Sequence, residues 1–281
     1  MAVTPDSSPV PARDRTRRGF VLRGLVLLVA AVLATGCTAD SGAATEPPAT
    51  TVASTTSAPV PGPDAFDPSA YPPLPPVPAP AGATVECRYT EGGPATPQAR
   101  FSRVATVSTV GTVELTLETT VGPIPLVLDR AKAPCTVNSF INLARQGFYN
   151  RSTCDQLVDE PGTQLFTCGD PTGTGTGGPG YRFPDEYPVT VTSHVNGFLT
   201  PVLHPRGTLA MASDGRADSN GSRFLLVFGD SVMPAQYTIF GTIGESALPL
   251  LDAAAEAGHE GGPGSFGRGR PLTPIMINRV I

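Results

Sequence analysis

Gly169-Asp170-Pro171-Thr172-Gly173-Thr174-Gly175-Thr176-Gly177-Gly178-Pro179-Gly180 is followed downstream by Arg206-Gly207-Thr208-Leu209-Ala210-Met211-Ala212 and then by Asn220-Gly221-Ser222-Arg223-Phe224. The first block is a loop by composition, and its backbone amides could cradle an anion. No Lys-Ser or Lys-Thr follows it, so nucleotide-phosphate chemistry is missing. The second and third blocks open runs that read as strands, Gly207 to Met211 and Phe224 to Phe228.

Outward from these blocks, short strand signals dominate. Val113-Glu114-Leu115-Thr116-Leu117-Glu118-Thr119 alternates apolar and polar residues, as a half-buried strand does. Val121-Gly122 turns the chain and Ile124 to Leu128 returns it, which predicts a hairpin. Val137, Phe140, Ile141 and Ala144 recur at helical spacing, with a start at Pro134 or Thr136 and a stop at Gly147. Further strands are expected over Leu165–Cys168, Thr238–Ile243 and Pro274–Val280, with a second helix over Leu248–Ala257 ended by Gly258. Glu260 to Arg270 is glycine-rich and reads as a loop. Many short strands with two helices point to a closed antiparallel barrel rather than an alternating parallel sheet.

The first 36 residues have the pattern of an export signal. Arg13, Arg15, Arg17, Arg18 and Arg23 precede the apolar run Gly24 to Ala34, and Thr35-Gly36 lead into Cys37. The run is shorter than the roughly 20 residues that span a bilayer. Leu33-Ala34-Thr35-Gly36-Cys37 resembles a bacterial lipobox, in which cleavage precedes the cysteine and the thiol of Cys37 receives lipid. The alternative is ordinary secretory cleavage beside a chance cysteine. Thr16-Arg17-Arg18-Gly19-Phe20-Val21-Leu22 resembles a twin-arginine signal, or paired arginines by chance. Residues 37–83 are rich in Pro, Ala, Thr and Ser and carry too little apolar surface to offset ordering, so they are expected to form a disordered tether. A pre-domain segment over 84–108 and one domain over 109–281 complete the expected organisation.

The chain of 281 residues is 40% hydrophobic, enough for a proper core, and its net charge of -5 argues against nucleic acid as a partner. Lys132 is the only lysine. With Cys37 set aside, Cys87, Cys135, Cys154 and Cys168 remain. They permit three disulfide connectivities, and none has the close C-x-x-C spacing of a zinc or redox site. No metal or cofactor is expected. His194, His204 and His259 are scattered over segments that read as loops or turns, so no catalytic role is assigned to them. Gly229-Asp230-Ser231 suggests an esterase nucleophile, but lacks its flanking pattern.

Taken in order, the hairpin, Ala133-Pro134, Asn138-Ser139-Phe140, Gly147-Phe148-Tyr149, the Gly169-Asp170-Pro171 block, Leu209-Ala210-Met211-Ala212, Asn220 to Phe224, and Phe240-Gly241 resemble a cyclophilin over roughly residues 109 to 281. The resemblance is greatest to a lipoprotein branch seen in actinobacteria, which also carries paired cysteines. It implies a mainly β, closed antiparallel eight-stranded barrel with two flanking helices. It further implies isomerisation of peptidyl-prolyl bonds, proline-containing peptides or exported proteins as partners, and a monomer anchored by lipid outside the cell membrane. The pairs expected among the cysteines are Cys154 with Cys168, flanking the active-site segment, and Cys87 with Cys135, tying the pre-domain segment to the first helix.

The resemblance also implies a changed site. The family's His-Arg pair falls on Asp155 and Gln156, so the cationic donor is replaced by an uncharged amide. Its Phe-Met-x-Gln stretch falls on Gln164-Leu165-Phe166-Thr167, where Phe166 could recover the lost aromatic. Its Ala-Asn-Ala falls on Ala212-Ser213-Asp214, its Gln on Arg223, its second Phe on Leu225 and its pocket His on Tyr237, with Val232 or Met233 at the usual Trp-Leu pair. Leu225 and Met233 can still bury a prolyl ring. Arg223 could return the positive charge from another wall, or be held in a structural salt bridge by Asp214. Two readings follow: an isomerase of reduced turnover, or a groove that binds proline segments or a protein partner without catalysis.

Overall fold

The computed structural model of the protein describes residues 66–189, 194–195, 198–261 and 267–281. The stretch expected to be an export signal, Cys37 and the expected tether as far as residue 65 lie outside the described residues. The pre-domain segment forms β1 (Thr84–Arg88), β2 (Thr90–Ala95) and β3 (Val104–Ser108). The hairpin β4 (Thr112–Thr119) and β5 (Gly122–Asp129) follows, then α1 (Pro134–Arg145), β6 (Ser152–Thr153), β7 (Gln156–Glu160) and β8 (Thr163–Cys168). After the glycine-rich loop come β9 (Pro179–Arg182), β10 (His194–Val195), β11 (Phe198–Leu199), β12 (Pro201–His204) and β13 (Thr208–Met211). The chain closes with β14 (Phe224–Gly229), β15 (Ser231–Pro234), β16 (Ile239–Ile243), α2 (Leu248–Glu256), β17 (Arg268–Gly269) and β18 (Met276–Val280).

Ten strands form one antiparallel ladder in the order β17-β7-β8-β14-β13-β16-β5-β4-β18-β6. The fold is therefore mainly β with two helices. The expected closed ring of eight differs from this curled sheet, whose end strands β6 and β17 do not pair with each other among the described residues. The reason lies in the backbone between β6 and β7. The amide of Cys154 donates to Ile275 O beside β18, whereas the next amide, of Asp155, donates to Thr167 O in β8. The chain itself crosses from one end of the ladder to the other at this seam.

Side-chain alternation sorts the core. In β5, Ile124, Leu126 and Leu128 are buried and their neighbours are half-exposed. Phe140 of α1 meets Tyr149, Phe240 and Phe224 at ring-centroid distances of 4.9, 5.3 and 5.4 Å. The first turn of α1 has no cap of its own. Instead the Glu186 carboxylate accepts hydrogen bonds from the amides of Cys135 (3.0 Å) and Thr136 (2.8 Å), placing an anion at the positive end of the helix.

The pre-domain segment is built onto this body. Cys87 is bonded to Cys135 of α1, and β2 pairs with β9. Tyr89 donates to Cys135 O, receives a hydrogen bond from Asn138, and meets Tyr181 edge-on. Part of the proline-rich stretch assigned to the tether also lies against the domain. Pro72 O accepts from the Leu203 amide, Pro75 O accepts from the Tyr187 hydroxyl, and Leu74 packs on buried side chains of the curled sheet. Prolines have no amide to satisfy, so their carbonyls alone can dock such a segment.

One histidine departs from the loop expectation. His204 ends β12, is fully buried, and its Nδ1 lies 3.1 Å from Val202 O while Nε2 has no partner among the described residues. Burial pushes the imidazole down to about 4 from 6.5. The unfolded chain thus takes up a proton that the folded chain refuses. The stabilisation is complete above pH 6.5 and is lost as pH falls through the interval toward 4, a loss of about 3 kcal/mol by linkage. Denaturant titrations between pH 7.5 and 4.5 should show this decline, and His204→Gln should flatten it; equal slopes in the two proteins would contradict it.

Candidate functional site

Three neighbouring strands are apolar on both faces, and this doubles the core. Phe166 and Cys168 of β8, Phe224, Leu226 and Phe228 of β14, and Leu209 and Met211 of β13 point into the main core. Their alternates Leu165, Leu225, Val227 and Ala210 form a second cluster with Tyr187, Met233 and Ile239. The strand period of two makes the division.

On the second cluster sits a cavity of ≈ 320 Å³ lined by Gln156, Leu165, Thr167, Ala212, Ser213, Arg223, Leu225, Met233 and Tyr237. Gln156 lies opposite Thr167 in the β7–β8 register, and Thr167 opposite Leu225 in β8–β14. Among the expected site residues Phe166 is the exception. It is fully buried against Phe228, 5.3 Å between ring centroids, because a neighbour of Leu165 and Thr167 must face the other side of the strand. The groove therefore has no aromatic from β8.

The cavity also takes in Val158, Glu160, Thr163, Val232, Pro234 and Arg268. Val158 and Thr163 follow from alternation on β7 and β8, and alternation could have found them. Arg268 could not be found that way. It belongs to a glycine-rich stretch read as loop, and only the pairing of β17 with β7 brings it to the groove. Burial pushes the Tyr237 phenol up, and the charge of Arg268 partly offsets that.

A second cavity of ≈ 320 Å³ lies alongside, with Gly93 and Pro94 of the pre-domain segment in its wall. Ala212, Ser213 and Arg223 line both cavities. Arg223 is paired, but with Asp155 rather than with Asp214. Its Nη2 lies 2.5 Å from Asp155 Oδ2, and the side chains are 27% and 7% exposed. Asp214 is held instead by Arg216 at 2.5 Å and Arg182 at 3.6 Å. The cause is the seam: the Cys154–Cys168 disulfide and the bond from the Asp155 amide to Thr167 O seat Asp155 beside β8, across from Arg223 at the entry to β14. Burial pushes the Asp155 carboxyl up, with Arg223 pulling the other way. Asp155 Oδ1 and Arg223 Nε are buried without hydrogen-bond partners among the described residues.

The glycine-rich loop folds around an anion of its own. The Asp170 carboxylate accepts from the amides of Thr172 (2.7 Å), Gly177 (3.0 Å) and Thr174 (3.2 Å). A Cβ on Gly177 would lie 2.0 Å from Asp170 Oδ1, so glycine is required there. Burial alone would raise the Asp170 carboxyl, but these bonds hold it below the ordinary value of 3.8. Three of the amides that composition offers to a phosphate are thus taken by Asp170. Ser231 is likewise no exposed nucleophile: it is fully buried, donates to Gly229 O at 2.8 Å and accepts from the Gln164 amide at 2.9 Å. No group of three or more His, Cys, Asp or Glu side chains gathers as a metal site among the described residues.

Residues 113–280 match the family model for cyclophilin type peptidyl-prolyl cis-trans isomerases. The chain is 42% identical over 211 residues to the probable peptidyl-prolyl cis-trans isomerase B of Mycobacterium tuberculosis, covering 74% of this chain and 67% of that one. It is 44% identical over 170 residues to its namesake in Mycobacterium leprae, covering 60% and 56%. A solved cyclophilin type isomerase of Cryptosporidium parvum aligns with a TM-score of 0.48 at 25% identity, over 61% of this chain and 97% of that one. This chain belongs to the cyclophilin family of peptidyl-prolyl isomerases.

Removing one member of the Asp155–Arg223 pair leaves a buried charge uncompensated, which costs up to about 3 kcal/mol. Arg223→Ala should therefore destabilise the domain more than the double variant Asp155→Asn with Arg223→Ala. A double-mutant cycle by urea unfolding measures this, and additive losses would contradict the pairing.

Proposed function

We propose that the chain is an exported peptidyl-prolyl isomerase, a monomer held outside the cell membrane by lipid on Cys37, that assists proline-containing exported proteins with reduced turnover. One observation carries the reading of the site: Leu165, Leu225 and Met233, an apolar floor suited to a prolyl ring, line one cavity with Gln156, the residue that the sequence resemblance sets at the family's arginine. Export is supported by the arginine-led apolar leader ending at Cys37 and by the Cys87–Cys135 and Cys154–Cys168 disulfides, which persist in oxidising compartments.

The reaction needs neither a nucleophile nor a metal. Rotation about the amide faces a barrier of about 18 to 20 kcal/mol from resonance, and X-Pro bonds exchange in tens to hundreds of seconds unaided. The apolar floor holds the ring, and a donor beside the amide nitrogen favours the twisted, pyramidal transition state. The Gln156 amide supplies a hydrogen bond without charge. Arg223 brings charge to the same cavity, but Asp155 neutralises most of it. Loss of one oriented donor lowers rates by about 10²- to 10³-fold.

That neutralised arginine favours a second reading, a groove that captures proline segments without turning them over. An isomerisation assay on a short Ala-Pro peptide separates the two. Turnover about 100-fold below that of an arginine-bearing cyclophilin, raised at least roughly tenfold by Gln156→Arg, is expected for the slow enzyme. Peptide binding with no turnover in either protein selects the binding module, and unimpaired native turnover refutes both. For the anchor, Cys37→Ala should move the protein from the membrane fraction to the soluble fraction and abolish incorporation of labelled fatty acid; unchanged fractionation would exclude it.

A further inference from the structure

The described chain begins at the rim of the prolyl groove. The Phe66 ring lies over the backbone of Gly162, where a Cβ would come within 2.7 Å of it. Gly162 O accepts the Val232 amide at 2.8 Å, and Val232 lines the groove together with Glu160 and Thr163 on either side of that turn. Phe66 is fixed there by the segment that follows it. Tyr71 stacks on its ring at 6.0 Å between centroids, and Leu74 is packed into the apolar cluster beneath the groove.

Immediately before Phe66 the sequence reads Pro59-Val60-Pro61-Gly62-Pro63-Asp64-Ala65. Pro63 is three residues from the ring and Pro61 is five. An extended chain reaches roughly 10 and 17 Å over those separations, enough to pass from the rim into the cavity. We propose that Pro59–Pro63 is a ligand of the prolyl groove in its own molecule, resting on the isomerase reading above. So short a connection gives an effective concentration on the order of millimolar, which fills a groove of weak peptide affinity for part of the time. Proline segments of client proteins then bind by displacing it. The strap that brings this segment to the rim is formed by Phe66 to Pro75.

Titration of a fluorescently labelled Ala-Pro peptide into the full-length chain tests this. The variant Pro59→Ala, Pro61→Ala and Pro63→Ala should bind the peptide about three- to tenfold more tightly than the native chain. Phe66→Ala, which frees the segment from the rim, should move affinity in the same direction. The shift should be the same at roughly hundredfold higher protein concentration, because the competition is intramolecular. Equal peptide affinity in all three proteins overturns the internal ligand and leaves the groove reading standing. A shift that grows with protein concentration assigns the segment to a second copy and overturns it too. Peptide binding by none of the proteins overturns the groove reading and this inference with it.

Discussion

The alternation of side chains along β8 and β14 is the constraint on which the rest of the molecule depends. Both strands are apolar on both faces, so each contributes to two clusters at once. Phe166, Phe224, Leu226 and Phe228 fill the main core, and Leu165, Leu225 and Val227 make an apolar floor on the opposite face. A slip of one residue in either strand would exchange the two sets and put phenylalanine on the floor of the groove. The register that stabilises the fold is thus the register that shapes the site.

The seam between β6 and β7 adds the electrostatics. At Cys154 and Asp155 the backbone changes partner from β18 to β8, and the Cys154–Cys168 disulfide closes the same place covalently. A carboxylate is thereby set beside Arg223 at the junction of two cavities. The groove keeps a guanidinium in its wall, paired with Asp155. Next to this, Asp170 accepts hydrogen bonds from three amides of the glycine-rich loop and so holds its shape from within.

Much of the site was legible because strand period and block order are local properties. The hairpin, α1, α2 and strands β8, β13, β14, β16 and β18 all fall on runs whose apolar spacing announces them. Once those strands are joined by β7 and β15, Gln156, Leu165, Thr167, Ala212, Ser213, Leu225, Met233 and Tyr237 meet in one cavity. Phe166 lies outside the groove because the alternation of Leu165 and Thr167 along β8 sends it inward. The partner of Arg223 could not be found in this way. Asp214 is nearer in sequence, but Asp155 is nearer across the sheet.

By itself, then, the sequence determined the family, the alternating strands and the apolar residues of the groove. Tertiary structure decided which charges meet, where the ladder ends, that His204 is buried at a strand end, and that the proline-rich strap reaches the groove rim at Phe66. The physical reason is range. Periodicity and composition act over a few neighbouring residues, whereas ion pairs, seams and docked segments depend on long-range strand pairings that no local pattern encodes.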